Sequence, residues 1–287
     1  MSVNHLGVEM IEAVPHTVVH QMVVNALLED VGKGDITAQL ISESQRFSVR
    51  VITREDMVVC GCDWVNEVFY QVDPEVKIFW QVKDGDVVKK ESVLFEAEGC
   101  SRSILTAERA ALNFLQMLSG TATLTHQYVE AIKHTKAKIL DTRKTIPGFR
   151  LAQKYAVRCG GGENHRIGLF DAFLIKENHI EAVGSITQAI LKAHEIAPDK
   201  MVEVEVENFV ELKVALAAGA DVIMLDNFSN AEKVKAVKIV AGKALIEASG
   251  NVELASISEI AETGVDYISS GALTKNIQAI DLSMRFV

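Results

Sequence analysis

The chain has 287 residues, of which 48% are hydrophobic and 24% are charged, and its formal net charge at pH 7 is −10. That much apolar sequence can bury a large core, which excludes a mainly disordered protein, and the acidic balance disfavours nucleic acid and anionic membranes as partners. No apolar run is long enough to span a bilayer, and the N-terminus lacks the pattern of a secretory signal, so we expect a cytoplasmic protein with reduced cysteines.

The first part of the chain predicts a small α+β domain. Helical spacing of apolar residues predicts an α-helix over 16–30. Alternating apolar and polar residues over 47–97, interrupted by turns such as Asp84-Gly85-Asp86, predict a small antiparallel sheet. A second helix is predicted over 107–134, with a break near Ser119-Gly120.

Strands and helices alternate regularly in the rest of the chain. Six short apolar segments have the character of buried strands: KILDT (138–142), AFLIK (172–176), MVEVEVE (201–207), DVIMLD (221–226), ALIEAS (244–249) and DYISS (266–270). Helical patterns lie between them, and Ser229 with Glu232 fits a capping box at one helix start. This alternation predicts βαβ units and a parallel sheet. The spacing favours an incomplete (β/α) barrel, with a doubly wound sheet as the alternative.

Polar residues at the ends of barrel strands point toward the active site, and here many of them are cationic. Between Thr142 and Lys176 the chain has seven Lys or Arg and only two Asp or Glu. Arginine pairs well with carboxylates and phosphates, so this segment predicts a site for a small polyanion. The cations beside the strand ends are Arg143, Lys144, Arg166 and Lys176. For Arg150, Lys154 and Arg158, spaced four apart, a solvated helix face is the alternative.

The strand VEVEVE is unusual because it places Glu203, Glu205 and Glu207 on one face. An exposed edge strand would explain the pattern, whereas inside a barrel these carboxylates must be paired or bind a metal. The next strand ends in Asp226. Glu205 and Asp226, at neighbouring strand ends opposite the cations, would suit Mg²⁺. The spacing leaves metal binding open, and it does not assign Glu203 or Glu207.

The last two strands end in small residues, Ser249-Gly250-Asn251 and Ser269-Ser270-Gly271. Glycine lets backbone amides approach an anion, and phosphate often binds to the loops after the final two strands of such barrels. We therefore predict a phosphate site at these two loops.

Taken together, the sequence resembles the quinolinate phosphoribosyltransferase family, whose members are also called nicotinate-nucleotide pyrophosphorylase (carboxylating). The likeness covers nearly the whole chain in order, and DTRKT and GGENHR are its most specific blocks. The matching stretches are EDVGKGDIT (29–37), TAERAALNFLQMLSG (106–120), DTRKTIPGFR (141–150), GGGENHRIGLFDAFLIKENH (160–179), VEVEVEN (202–208), IMLDNF (223–228), EASGN (247–251) and ETGVDYISSGALT (262–274).

The resemblance implies an N-terminal α+β sandwich domain, taken as residues 1–115, and an incomplete α/β barrel, taken as 116–287. It also implies a homodimer, and leaves a higher oligomer open, with each active site between one subunit's barrel and the other's N-terminal domain. The implied reaction joins quinolinate to phosphoribosyl pyrophosphate with Mg²⁺, giving nicotinate mononucleotide, pyrophosphate and CO₂.

The resemblance further implies a role for each candidate residue. The quinolinate carboxylates would be held by Arg143, His165, Arg166 and Lys176, and by Arg109 of the partner subunit. Phosphoribosyl pyrophosphate would be held by Lys144, with Glu205 and Asp226 at its metal and ribose and with Ser249, Gly250, Ser270 and Gly271 at its 5′-phosphate. Lys144, Glu205 and Asp226 are the expected catalytic residues.

The sequence leaves three other hypotheses about function open. Lys176 could form a Schiff base in an aldolase-like barrel enzyme. The chain could also be a non-catalytic binding protein for a phosphorylated metabolite, or a diverged relative that takes another anionic substrate.

Overall fold

The computed structural model describes residues 4–287. The first half of the chain forms α1 (His16–Asp30), a 3₁₀ turn (Ala38–Leu40), β1 (Arg46–Thr53), β2 (Met57–Val58), α2 (Cys62–Val72), β3 (Lys77–Trp80), β4 (Val87–Val88), β5 (Val93–Cys100) and α3 (Ser101–Ile132). The second half forms β6 (Lys138–Leu140), α4 (Arg150–Cys159), β7 (Phe173–Ile175), α5 (Glu177–Val183), α6 (Ile186–Ile196), β8 (Val202–Val206), α7 (Phe209–Ala217), β9 (Val222–Asp226), α8 (Asn230–Val240), β10 (Leu245–Ser249), α9 (Ile257–Glu262), β11 (Tyr267–Ser269), α10 (Ala272–Lys275) and β12 (Leu282–Phe286). Among the described residues, no helix is both long enough and apolar enough to cross a bilayer.

One compact unit, here called the N-terminal unit, comprises Ala13–Leu124, Cys159–Gly161 and Ile277–Val287. Its main sheet has the strand order β12-β1-β5-β3 and is antiparallel, as the alternating sequence predicts. Buried Trp64 and Phe69 from α2 and buried Phe95 from β5 contribute to its core.

Helix α3 is continuous through Ser119-Gly120, so the predicted break is wrong. Both residues instead make close contacts with other segments of the N-terminal unit. A Cβ at Gly120 would lie 2.2 Å from the carbonyl oxygen of Gln278, so only glycine fits this close backbone approach. The Ser119 hydroxyl accepts a hydrogen bond from the backbone N–H of Cys60 and donates one to its carbonyl oxygen.

The second compact unit, the barrel unit, comprises the described residues up to Glu12, Thr125–Arg158 and Gly162–Asn276. Its six strands are all parallel, in the order β6-β11-β10-β9-β8-β7. The first strand pairs with the last, as barrel strands do, whereas β6 and β7 lie at opposite edges. The incomplete barrel is therefore confirmed, and each predicted strand is present to within two residues at either end. Ser229 and Glu232 form the predicted capping box at α8.

The unit boundaries differ from the ranges 1–115 and 116–287 expected from sequence. A division at residue 115 falls inside α3. In addition, the described residues up to Glu12 belong to the barrel unit, and Ile277–Val287 belong to the N-terminal unit. The N-terminal segment belongs to the barrel unit because Leu6 and Val8 pack into a buried cluster with Leu140, Val222 and Tyr267. The last strand, β12, belongs to the N-terminal unit because it pairs with β1.

Candidate active site

Two adjoining cavities open at the carboxyl ends of the barrel strands. The cationic cavity, of about 330 Å³, is lined by Thr142, Arg143, Lys144, His165, Arg166, Leu174, Lys176, Met224, Glu247, Ser249 and Ser269. The polar cavity, of about 570 Å³, is lined by Tyr128, Thr142, Lys144, Lys176, Glu205, Asp226, Ser249, Gly250, Asn251, Val252, Glu253, Ser269, Ser270, Gly271, Ala272, Lys275 and Asn276. Five lining residues are common to both, so the two cavities form one continuous site.

All but one of the predicted site residues line these cavities. The predicted carboxylate ligands Arg143, His165, Arg166 and Lys176 line the cationic cavity. The predicted phosphoribosyl pyrophosphate ligands Lys144, Glu205, Asp226, Ser249, Gly250, Ser270 and Gly271 line the polar cavity. Arg109 is the exception, since it lies exposed on α3 in the N-terminal unit. That unit has a cavity of its own, of about 660 Å³, which contains none of the predicted residues.

The three acids of VEVEVE have different surroundings. Strand β8 lies between β7 and β9, so it is not an edge strand. Glu203 is buried, Glu205 is half-buried and forms a short ion pair with Lys176 Nζ, and Glu207 is exposed. Only Glu205 among them lines the polar cavity.

A buried polar network fixes the loop that carries His165 and Arg166. Lys154 and Asp141, both without exposed surface, form an ion pair at its centre. Asp141 also accepts hydrogen bonds from Asn164 Nδ2 (2.6 Å) and from the backbone N–H of His165 (2.9 Å), and Lys154 Nζ donates to the His165 carbonyl oxygen (2.8 Å). Burial raises the pKa of Asp141, against the opposing effect of Lys154. Lys154 is thus a core residue, and the solvated helix face considered for it is wrong.

The neighbouring arginines on α4, Arg150 and Arg158, are half-buried and donate hydrogen bonds to backbone carbonyls. Arg150 Nη1 donates to the carbonyl oxygen of Ile167 (3.2 Å), and its Nη2 donates to that of Arg143 (3.3 Å). Arg150 therefore connects the loop that contains Arg143 to the loop that contains Arg166. Arg158 Nη1 donates to the carbonyl oxygen of Gly162 (2.5 Å).

His165 lies beside two buried glutamates. Its Nε2 is 3.0 Å from Glu203 Oε2 and 3.4 Å from Glu247 Oε2. Burial disfavours the charged imidazole, but Glu247 and Glu203 outweigh it and raise the pKa of His165 to about 10. The backbone N–H of Arg166 donates to His165 Nδ1 (2.7 Å), so the ring takes a second proton only if Nδ1 gives up this bond. Burial and the neighbouring Glu247 raise the pKa of Glu203 to about 7.

Of the two loops predicted for phosphate, the one after β10 has a backbone geometry that favours glycine, whereas Gly271 in the other has φ −69°. Gly250 has φ +91°, and a Cβ there would lie 2.5 Å from Asn227 Oδ1. The backbone N–H of Ser270 donates to the Leu140 carbonyl oxygen (3.1 Å) and its hydroxyl to that of Val252 (3.3 Å). These bonds hold the loop after β11 against neighbouring loops and strands.

Three groups of side chains have donor atoms that suit a metal. Glu205 and Asp226 offer carboxylate oxygens to the polar cavity, and hard cations such as Mg²⁺ prefer oxygen ligands. The ligand atoms of His165, Glu203 and Glu247 lie within 4.8 Å of one another, as do those of Cys60, Asp84 and Cys159 in the N-terminal unit. The four cysteines form no disulfide.

Sequence reasoning missed several residues of the site. Asp141 and Asn164 lie inside the DTRKT and GGENHR blocks, and Glu247 begins EASGN, so the motifs contained them without revealing their function. A charged residue in an otherwise apolar strand was the available signal for Glu247, as it was for Glu203.

Together, the parallel strands and the joined cationic and polar cavities at their carboxyl ends have the architecture of an α/β-barrel enzyme. Family models agree with this class: the quinolinate phosphoribosyl transferase N-terminal domain matches residues 35–119 and the C-terminal domain matches residues 121–285. The chain belongs to the quinolinate phosphoribosyl transferase family.

Individual relatives cover almost the whole chain. It is 40% identical over 270 residues to a Bacillus subtilis (strain 168) protein named probable nicotinate-nucleotide pyrophosphorylase (carboxylating), which covers 94% of this chain and 93% of that one. A Synechocystis protein of the same name is 42% identical, covering 91% and 90%. The solved structure of the nicotinate-nucleotide pyrophosphorylase from Francisella tularensis matches with a TM-score of 0.96 at 54% identity, covering 97% of this chain and 99% of that one.

Proposed function

We propose that this chain transfers the phosphoribosyl group from phosphoribosyl pyrophosphate to quinolinate, with loss of CO₂, giving nicotinate mononucleotide and pyrophosphate. The proposal is supported by the names of relatives, which are nicotinate-nucleotide pyrophosphorylase (carboxylating) and quinolinate phosphoribosyltransferase (decarboxylating), and it would place the chain in de novo NAD biosynthesis. The observation that carries the proposal is the continuity of the two cavities, which share Thr142, Lys144, Lys176, Ser249 and Ser269. A dicarboxylate in one cavity would thereby meet an activated sugar in the other.

Quinolinate binds in the cationic cavity in this proposal. Arg143, Arg166 and Lys176 supply the positive charge that two adjacent carboxylates require, and arginine forks bind carboxylates bidentately. His165 lines the same cavity, although its Nδ1 is already engaged by the backbone of Arg166. Leu174 and Met224 offer apolar contact to the ring.

Phosphoribosyl pyrophosphate binds in the polar cavity. Lys144, which lines both cavities, is placed to hold the pyrophosphate near the acceptor ring. The Ser249-Gly250 and Ser270-Gly271 loops supply backbone amides and hydroxyls for the 5′-phosphate.

The chemistry requires no protein nucleophile. The bond from ribose C1 to the pyrophosphate oxygen breaks with its electron pair leaving on pyrophosphate, and the lone pair of the pyridine nitrogen forms the new bond to C1. Positive charge that develops on the ribose is stabilised by the carboxylates of Glu205 and Asp226, as in glycosidic transition states. The bond from C2 to its carboxylate then breaks, CO₂ leaves, and the electron pair on C2, stabilised by the cationic ring nitrogen, takes up a proton.

Glu205 and Asp226 would also hold Mg²⁺. Both line the polar cavity at neighbouring strand ends, and their oxygen donors fit this ion. When bound, Mg²⁺ offsets the negative charge of the pyrophosphate. Lys176 forms an ion pair with Glu205 and therefore links the carboxylate-binding and sugar-binding regions.

A homodimer in which Arg109 of the partner subunit completes the quinolinate site is part of the proposal. Its support is the family resemblance and the exposed position of Arg109 on α3. The cytoplasmic location rests on the sequence alone and stays a prediction.

The test is an assay with purified protein, quinolinate, phosphoribosyl pyrophosphate and Mg²⁺, in which nicotinate mononucleotide is measured by chromatography. We expect product that depends on all three additions. Absence of product from a folded, metal-loaded protein would reject the function. Borohydride with carbonyl substrates serves as the counter-test: because Lys176 Nζ is engaged by Glu205, we expect no trapped Schiff base.

A further inference from the structure

Two buried glutamates, Glu203 on β8 and Glu247 on β10, form what we call the acid pair. Glu247 has no exposed surface, and Glu203 is 5% exposed. Both carboxylates contact Nε2 of His165, which is 7% exposed. Within residues 4–287, Glu203 Oε1 and both carboxylate oxygens of Glu247 have no hydrogen-bond donor.

The acid pair is unfavourable for the stability of the fold. A buried carboxylate loses its hydration and regains that free energy only through donors and counter-charges. Three of the four oxygens here lack a donor, and His165 is the cation that both carboxylates contact. Burial and repulsion by Glu247 nevertheless raise the pKa of Glu203, so its charged form is disfavoured in this medium, which screens charge poorly. Glu247 lines the cationic cavity, and a buried, poorly satisfied charge at a cavity points to a role in function.

Within the described part of the chain, two guanidinium groups that line the cationic cavity lack a carboxylate partner. Among the described residues, neither Arg143 nor Arg166 forms an ion pair with a carboxylate, and the buried Nε of Arg143 has no hydrogen-bond partner. Burial and the neighbouring Arg143 lower the pKa of Arg166, while Glu203 acts in the opposite direction. The cavity thus brings together two cations that repel each other when no anionic ligand is bound.

His165 connects the acid pair to these cations. On one side its Nε2 faces Glu203 and Glu247, and on the other its Nδ1 accepts the backbone N–H of Arg166. The backbone N–H of His165 is bound in turn by buried Asp141. The ring therefore connects residues of two strands, β8 and β10, to the loop that carries Arg166.

We propose that Glu203 and Glu247 are positioning residues, which hold Arg143 and Arg166 together in the cationic cavity by supplying buried negative charge beside it, through His165. The inference rests on the proposed function of the cationic cavity as a dicarboxylate site. If the cations are already held in place before the substrate arrives, less of the binding free energy is lost in bringing them together. The acid pair also repels a bound carboxylate, and the proposal requires the positioning effect to be the larger of the two.

The test measures binding without catalysis. The probe is benzene-1,2-dicarboxylate, which has two adjacent carboxylates but no ring nitrogen to react, and its Kd is measured by calorimetry on the wild type, Glu203→Gln and Glu247→Gln. Glutamine keeps the size of the side chain and removes its charge. We expect the Kd to rise about tenfold in each variant, with a Tm equal to or above that of the wild type. In steady-state assays KM for quinolinate should rise while KM for phosphoribosyl pyrophosphate stays unchanged.

Glu67→Gln is the matched control. Glu67 is a buried glutamate that contacts two histidines, His16 (3.0 Å) and His20 (2.7 Å), in the N-terminal unit. We expect the dicarboxylate Kd of this variant to equal that of the wild type.

Several results would overturn the inference. They are unchanged or tighter dicarboxylate binding in both acid-pair variants, failure of both variants to fold, and a stoichiometric transition metal in the purified protein that Glu247→Gln removes. The last would make the two carboxylates metal ligands. A wild type that binds the probe but forms no nicotinate mononucleotide would instead reject the proposed reaction and leave the positioning role standing.

Discussion

Lys154→Met removes the cation from the buried ion pair at the base of the site. Lys154 and Asp141 have no exposed surface, so the variant leaves the Asp141 carboxylate in the core with only the donors of Asn164 and His165. Removing one partner of such a pair costs about 3–5 kcal/mol. Whole domains are stable by about 5–15 kcal/mol, so we expect partial or complete loss of the barrel fold at 37 °C.

The assay is urea denaturation followed by far-ultraviolet circular dichroism, because both tryptophans, Trp64 and Trp80, lie in the N-terminal unit. Lys133→Met is the control: Lys133 forms an exposed pair with Glu130 (2.7 Å), and exposed pairs contribute little. Adding Asp141→Asn to Lys154→Met should restore part of the lost stability. If Lys154→Met cost less than about 1 kcal/mol, the buried pair would not hold the loop as described.

The loss of stability caused by Lys154→Met should depend on pH, and its sign follows from the pKa of Asp141. Burial raises the folded-state pKa of Asp141, so the folded chain binds this proton more readily than the unfolded chain does. Asp141 therefore lowers stability as pH rises from its ordinary range through the raised value. Without Lys154 the folded-state pKa rises further, and the cost of the substitution should be larger at about pH 7.5 than at about pH 5. An equal cost at both would contradict this assignment.

Three further predictions concern the cavities. Arg166→Ala should lower kcat/KM for quinolinate roughly tenfold to a hundredfold, because one charge-assisted contact is lost; an unchanged value in steady-state assays would remove Arg166 from the site. Gly250→Ala places a Cβ 2.5 Å from Asn227 Oδ1 at φ +91°, so KM for phosphoribosyl pyrophosphate should rise and Tm should fall, and a normal KM would argue against phosphate at this loop. Arg109→Ala subunits mixed with Lys144→Ala subunits should regain activity, since a shared-site dimer forms one intact site; no recovery in verified heterodimers would reject the shared site.

Much of the fold is visible in the sequence because periodicity reports burial. The six parallel strands have short apolar cores, and their spacing identified the barrel. The failure at Ser119-Gly120 has a physical cause, since the contact that requires glycine comes from Gln278, far away in the chain. Local sequence cannot distinguish a glycine that breaks a helix from one that lets another segment approach it.

In the site too, local sequence did not reveal contacts with distant parts of the chain. Period-2 alternation placed Glu203, Glu205 and Glu207 on one face but could not assign them three different surroundings, because these depend on the neighbouring strands and on His165. Lys154 has the spacing of a solvated helix face, yet its partner Asp141 lies on another element. The motifs contain most of the residues that line the two cavities, whereas the buried counter-charges beside them required the tertiary structure.

The central claim is that one cavity recognises two adjacent carboxylates next to a bound phosphoribosyl donor. The most direct measurement is the ratio of kcat/KM for quinolinate to kcat/KM for nicotinate, which lacks one carboxylate, at saturating phosphoribosyl pyrophosphate and Mg²⁺. A site built to bind a charged group rejects the analogue without it, so we predict a ratio of at least about 10². A ratio near one would show that Arg143, Arg166 and Lys176 do not form a dicarboxylate site.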